Sequence, residues 1–311
     1  MQIDLDPQAF IAETPFPAEG ELRVGSFSAR LSATRPDFCE RLAWLFKQQH
    51  RPGDEPRWNF YLAGVPQDDP LFASPLPPGV LATWLCRVYI GSRDVLFLIS
   101  EPQAEAYQTA DLSVAVQKVL LALGQCYLHA GAVSIRGQTF LVAGPRGAGK
   151  STLCLRLAQA GGSLVSDDHV LLRRAEGGYR VSGCETTARV TAQSEQYLFP
   201  HGLGVQAADY HGVVKKEFDA ARYVDFRPLP ERPFHRIMFP HVGERVRQTP
   251  LPAALAVTRL IHMKQADFVY VNGSEVAAFM DFLADLVETT PCVDLELSPN
   301  LGDLDALVAA L

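Results

Sequence analysis

The sequence predicts an α/β protein: a large domain on a mixed sheet, preceded by a smaller α+β N-terminal domain. Three observations carry this reading. Thr139–Ala143 (TFLVA) is a short apolar run that leads through a glycine-rich octet, residues 144–151, into Ser151–Ala160 (STLCLRLAQA), which is rich in helix formers. A second apolar strand, Leu164-Val165, starts one short helix later and ends in Ser166-Asp167-Asp168. Hairpin signals flank both, at Arg136-Gly137-Gln138 and Glu176-Gly177-Gly178, so a strictly parallel βα series is not expected.

In chain order, Leu22–Leu31 alternates as a strand, with Val24, Phe27 and Ala29 as inward positions. Pro36–Gln49 predicts an amphipathic helix through Phe38, Leu42, Leu45 and Phe46, broken by His50–Pro56. Asn59–Ala63 reads as a strand and the proline-rich Val65–Gly79 as a long loop. TWLCRVYI and DVLFLIS, in the span 80–100, form a hairpin about Gly91-Ser92-Arg93. Tyr107–Gly124 is a helix with Asp111 in its first turn. The domain boundary is placed at its start, giving residues 1–108 and 109–311.

Tyr127–Ser134 is a strand containing His129, and the strand after Asp168 continues through Val170-Leu171-Leu172 to a hairpin with Tyr179-Arg180-Val181. Residues 183–249 read as irregular and rich in cations, with Arg236–Pro240 as a strand stopped by proline. Pro252–His262 and Ser274–Val287 are helices, Phe268–Val271 and Cys292–Leu297 strands, and Leu301–Leu311 a last short helix.

The octet Gly144-Pro145-Arg146-Gly147-Ala148-Gly149-Lys150-Ser151 fits G-x-x-x-x-G-K-[ST], with Thr152 following. Glycines let a tight loop aim backbone N–H groups at phosphate oxygens; the lysine reaches β/γ phosphates, and the Ser151 hydroxyl can ligate Mg²⁺. The helix that follows adds its positive dipole end. Of the two aspartates, one can hold Mg²⁺ and the other can accept a proton from an attacking hydroxyl. Among the downstream cations, Arg189 and Lys215-Lys216 are candidates for phosphate or substrate contacts, the lysines on a loop able to close over a transferring phosphate. No N-K-x-D motif specifies guanine, so ATP is expected.

Composition narrows the partners. Hydrophobic residues make up 48% and charged residues 20%, ordinary for a globular chain, and the net charge is −7 with no basic run. Nucleic acid and anionic membrane surfaces are therefore not expected partners. No apolar stretch reaches a membrane span, and the acidic N-terminus lacks a signal-peptide pattern. Six scattered cysteines without a C-x-x-C pair fit buried reduced thiols, and a cytoplasmic location is expected.

Leu128-His129-Ala130-Gly131, the glycine-rich loop and Leu164-Val165-Ser166-Asp167-Asp168 together resemble the catalytic domain of bacterial HPr kinase/phosphorylase, with Ser166 where that family has alanine. Residues 183–311 look more like HPr-kinase-related proteins of peptide-modification gene clusters, lasso-peptide kinases among them, through Lys215 or Lys216 and Phe239-Pro240. The resemblance implies a fold related to phosphoenolpyruvate carboxykinase and ATP- and Mg²⁺-dependent phosphorylation of a serine hydroxyl on a peptide or protein. It implies Lys150 on the β/γ phosphates, Ser151 and Asp168 on the metal, Asp167 as proton acceptor and His129 orienting an aspartate or a phosphate. It leaves a homo-oligomer open; the N-terminal domain is expected to serve substrate recognition. Two other readings stand beside it: a nucleotide-binding regulatory module with little catalysis, and a kinase of small-molecule hydroxyls.

Overall fold

A computed structural model of the chain describes residues 5–46, 56–66, 68–101, 105–210, 212–263 and 273–310. The chain divides into two compact units after Gly124, and residues 273–276 group with the first. The sequence boundary at 108/109 lies earlier, at the start of a helix that the first unit retains. The breaker at residues 50–56, except Pro56, and the strand at 268–271 lie outside the described residues.

In the first unit the elements are α1 (Pro7–Glu13), β1 (Ala18–Val24), β2 (Phe27–Ala33), α2 (Pro36–Leu45), β3 (Trp58–Pro66), α3 (Pro70–Ala73), β4 (Leu81–Ala82), β5 (Cys86–Ile90), β6 (Asp94–Glu101) and α4 (Glu105–Ala122). They build one mixed six-stranded sheet, β1-β2-β3-β6-β5-β4, in which β2, β3 and β6 run parallel. The strand expected over 22–31 is a hairpin instead: Gly25, at φ 57°, turns the chain between β1 and β2. The loop expected over 65–79 gives up its start to β3 and contains α3. Asp111 lies in the second turn of α4, and its carboxylate accepts the amides of Trp84 and Leu85 and the Thr83 hydroxyl.

The second unit carries β7 (Gln125–Ile135), β8 (Gln138–Ala143), α5 (Lys150–Gln159), β9 (Ser163–Ser166), β10 (His169–Ala175), β11 (Gly178–Gly183), β12 (Thr187–Val190), α6 (Ala192–Leu198), β13 (Ala207–Asp209) and β14 (Val214–Asp219). It continues with β15 (Arg232–Pro233), β16 (Arg236–Val242), β17 (Arg247–Pro250), α7 (Ala253–Met263), α8 (Gly273–Thr289, its first turn grouping with the first unit), β18 (Cys292–Leu297) and α9 (Leu304–Ala310). The main sheet runs β15-β11-β10-β7-β8-β16-β18-β17, with β9 also on β7, and β12-β14-β13 form a small second sheet. β8, β16 and β18 are parallel, while β7 is antiparallel to β8, β9 and β10. The sheet is mixed, as the hairpin signals require.

β8 is buried along nearly its whole length because it has a strand on each side and α5 beside it. Leu153 and Leu157 of α5 pack with Phe140, Val142, Met238 and Leu295 in one core. Burying each such side chain contributes roughly 1.5–3 kcal/mol before entropy is charged. That core holds the turn between β8 and α5 against the sheet.

Several expectations fail here for one reason: strand pairing is non-local. Residues 183–249 are not irregular but hold α6 and six strands. Lys215 and Lys216 lie in β14, not in a loop. Pro240 does not stop β16, which runs on to Val242. The strand after Asp168 is not a continuation either. β9 ends at Ser166, β10 starts at His169, and the two pair with successive parts of β7. Asp167 and Asp168 form the break between them.

Candidate active site

The connection from β8 to α5 is a tight turn whose N-cap, Gly149, has φ 92°. A Cβ there would also meet Leu297 Cδ1 at 2.9 Å, so glycine is required twice over. No side chain caps α5, which leaves its first-turn N–H groups available to an anion. The Lys150 ammonium is buried and donates to the carbonyls of Gly144 (2.8 Å) and Pro145 (3.2 Å). Burial lowers its pKa, with Lys215 adding to the effect and Asp168 and Asp167 opposing it.

Gly131 lets the aspartates approach the sheet. A Cβ on it would lie 2.7 Å from Cys154 Sγ and 3.1 Å from the Asp167 carbonyl oxygen. Asp167 is 2% exposed. The backbone N–H of Arg189, from β12, donates to its Oδ2 at 2.9 Å, while Oδ1 is buried without a partner. Burial, then the neighbouring Asp168 charge, pushes its carboxyl up to about 7, while the Arg189 amide and the Ser151 hydroxyl act the other way.

Asp168 has the opposite environment. Burial alone would raise its pKa, but the His129 contact and the charges of His129, His169 and Arg189 hold it well below the usual carboxylate range. His129 Nε2 lies 3.0 Å from Oδ1, and the Arg189 guanidinium donates to Oδ2 at 2.9 Å. Arg189 also donates to Glu217 (2.8 Å) and stacks on Tyr210, whose hydroxyl donates to Glu217 at 3.0 Å. Tyr210 precedes the turn into β14, and Arg146 of the glycine-rich turn donates to its carbonyl.

Thus Lys150, Ser151, Asp167, Asp168, His129 and Arg189 of the expected set interact with one another. Lys215 reaches the group only through its charge on Lys150. Lys216 does not join it; its ammonium donates to Glu195 at 2.8 Å. Thr152 points away as well, hydrogen-bonded to the Ser194 hydroxyl at 2.7 Å. His169, Glu185, Glu217 and Tyr210 were missed. His169 had a readable signal, since it follows the aspartate pair and alternates with it at the start of a strand.

The donor set is a serine hydroxyl and two carboxylates, one of which, Asp167, has a buried oxygen without a partner. These hard oxygen donors fit Mg²⁺, which keeps several waters and takes one or two carboxylates. One buried acid poised near neutrality and one held ionised is an arrangement able to divide proton transfer from charge stabilisation.

No family model matches the sequence, and no curated protein matches it. Among solved structures, the Hpr(Ser) kinase/phosphatase from Coxiella burnetii is similar over 59% of this chain and 91% of its own, at 11% identity and a TM-score of 0.31. A likeness of that size says nothing about chemistry. Among the described residues no helix is long and apolar enough to cross a membrane.

Proposed function

We propose that the chain is an ATP-dependent phosphotransferase that moves the γ-phosphoryl group to a hydroxyl, with a serine on a peptide or protein as the acceptor. The observation that carries the reading is the divided aspartate pair: Asp167 buried with its pKa near 7 and Asp168 kept ionised, both interacting with Lys150.

In this reading the first-turn amides of α5 and Lys150 bind the β/γ phosphates. Lys150 then gives up its contacts to the Gly144 and Pro145 carbonyls. Ser151 and Asp168 hold Mg²⁺, which when bound neutralises charge on the phosphates. Asp167 takes the proton of the incoming hydroxyl; a base with a pKa near the working pH combines adequate ionisation with adequate strength. His129 holds Asp168 in orientation. Arg189 fixes both aspartates, one through its amide and one through its guanidinium.

The test is incubation with Mg-ATP and a panel of serine-containing peptides, read by mass spectrometry for added phosphoryl groups. Phosphorylated serine on at least one peptide is expected. Steady ATP binding with no modification of any peptide sinks the proposal and leaves a nucleotide-binding module.

A further inference from the structure

A second chemistry is built beside the aspartate pair. His129 of β7 and His169 of β10 are directly paired across the two strands. Their rings meet edge to face at 5.1 Å between centroids, and the Asp168 carboxylate faces a nitrogen of each. His129 Nε2 is 3.0 Å from Asp168 Oδ1, and His169 Nδ1 is 3.8 Å from Oδ2. One ligand atom from each of the three falls within 4.8 Å of the others. Ligands on one tetrahedral ion, each at about 2.0–2.1 Å, stand roughly 3.3 Å apart. The trio is therefore within a small side-chain adjustment of a coordination sphere.

The surroundings suit a metal. The Glu185 carboxylate, 5% exposed, is 2.9 Å from His169 Nδ1, and the Tyr127 ring stacks on His169 at 5.0 Å. Nδ1 is also the nitrogen that faces Asp168, so an ion bound there would replace the Glu185 contact and keep that carboxylate's negative charge beside it. Both histidines stand on paired strands, so their spacing is set by backbone hydrogen bonds. Arg189 engages only Oδ2, leaving Oδ1 on the His129 side.

Two imidazoles and one carboxylate are not a magnesium set. Imidazole nitrogen favours borderline divalent ions, in the order Mn²⁺ below Co²⁺ with Zn²⁺ and Cu²⁺ tighter. We infer that His129, Asp168 and His169 bind one borderline divalent cation of the Zn²⁺/Co²⁺ class. The site shares Asp168 with the phosphoryl-transfer reading but does not need it. It is measured without nucleotide, so failure of either proposal is seen separately.

The experiment titrates the nucleotide-free full chain, stripped with chelator, with Co²⁺ and follows visible absorption, then adds Zn²⁺. One Co²⁺ per chain, with the intense bands of a low-coordinate nitrogen-containing site and displacement by Zn²⁺, is expected. His129→Gln, His169→Gln and the double variant carrying both changes should each weaken binding at least as much as the ~10–100-fold that loss of an outer partner costs. Should the variants fold poorly, ring ¹⁵N signals of the wild-type histidines serve instead: Zn²⁺ should shift those of His129 and His169. Absence of the Co²⁺ bands, unshifted ring signals, or binding unchanged in the double variant overturns the proposal.

Discussion

Asp167 and Asp168 are adjacent in the chain and opposite in electrostatic state. Asp167 meets the Arg189 amide on one oxygen and keeps the other buried without a partner, so the amide and the Ser151 hydroxyl do not offset its burial. Asp168 meets an imidazole and a guanidinium, so its burial is outweighed. The strand break between β9 and β10 makes this possible, because it turns the two side chains into different surroundings.

Replacing Asp167 by Asn tests the base. The substitution keeps the shape and the acceptor for the Arg189 amide but removes the proton acceptor. ATP affinity should stay within a few-fold, while transfer to the serine of a substrate peptide should fall ~10²–10⁴-fold. In the wild type the transfer rate should rise as pH increases through about 7 and then level, as Asp167 ionises. A pH-independent rate, or full activity in the variant, would remove Asp167 from the mechanism.

Asp167 also makes a stability prediction with a definite sign. Its folded-state pKa lies above the value of 3.8 expected without burial. The contribution is therefore fully present below about pH 4 and is lost as pH rises through about 7. At about 1.4 kcal/mol per unit, the swing is a few kcal/mol. Asp167→Asn should gain stability relative to wild type between pH 4.5 and 8 in urea denaturation. Parallel curves for the two proteins would contradict the shift.

Gly131→Ala should push Cys154 and the Asp167 backbone outward, costing about 1–3 kcal/mol. Cys154→Ala removes the nearest obstructing atom. Added to Gly131→Ala, it should be less harmful than the sum of the two single changes, which a double-mutant cycle in chemical denaturation measures. Strict additivity would mean that the sulfur is not the limiting contact.

The neighbouring lysines should behave differently. Lys216→Met leaves Glu195 without its cation and should cost about 1–2 kcal/mol of stability, while its effect on transfer follows stability alone. Lys215→Met should leave the melting temperature unchanged and slow transfer, because Lys215 acts on the field at Lys150. Equal effects of the two on transfer would refute the distinction.

How much of this was legible depended on sequence distance. The glycine-rich turn and the aspartate pair are contiguous, and a linear pattern shows them. The hairpins at Gly137 and Gly177 were legible for the same reason. Arg189 was visible only as one cation among many. Its role follows from β12 pairing with β14, which aligns Arg189 with Glu217 and sets its amide on Asp167. Taking 215–216 as a loop hid the alternation that sends Lys216 to Glu195. His169 needed the register of β10 on β7, which places it opposite His129.

The pairing of β9 and β10 with one edge of β7 has a last consequence. Side chains alternate along a strand, so a one-residue slip exchanges the two faces. His169 stands on β10 itself, so a slip of β10 against β7 would take it from its place opposite His129 and from the Asp168 carboxylate. The hydrogen-bond ladder of β7 therefore does more than stiffen the sheet: it sets which imidazoles stand beside Asp168.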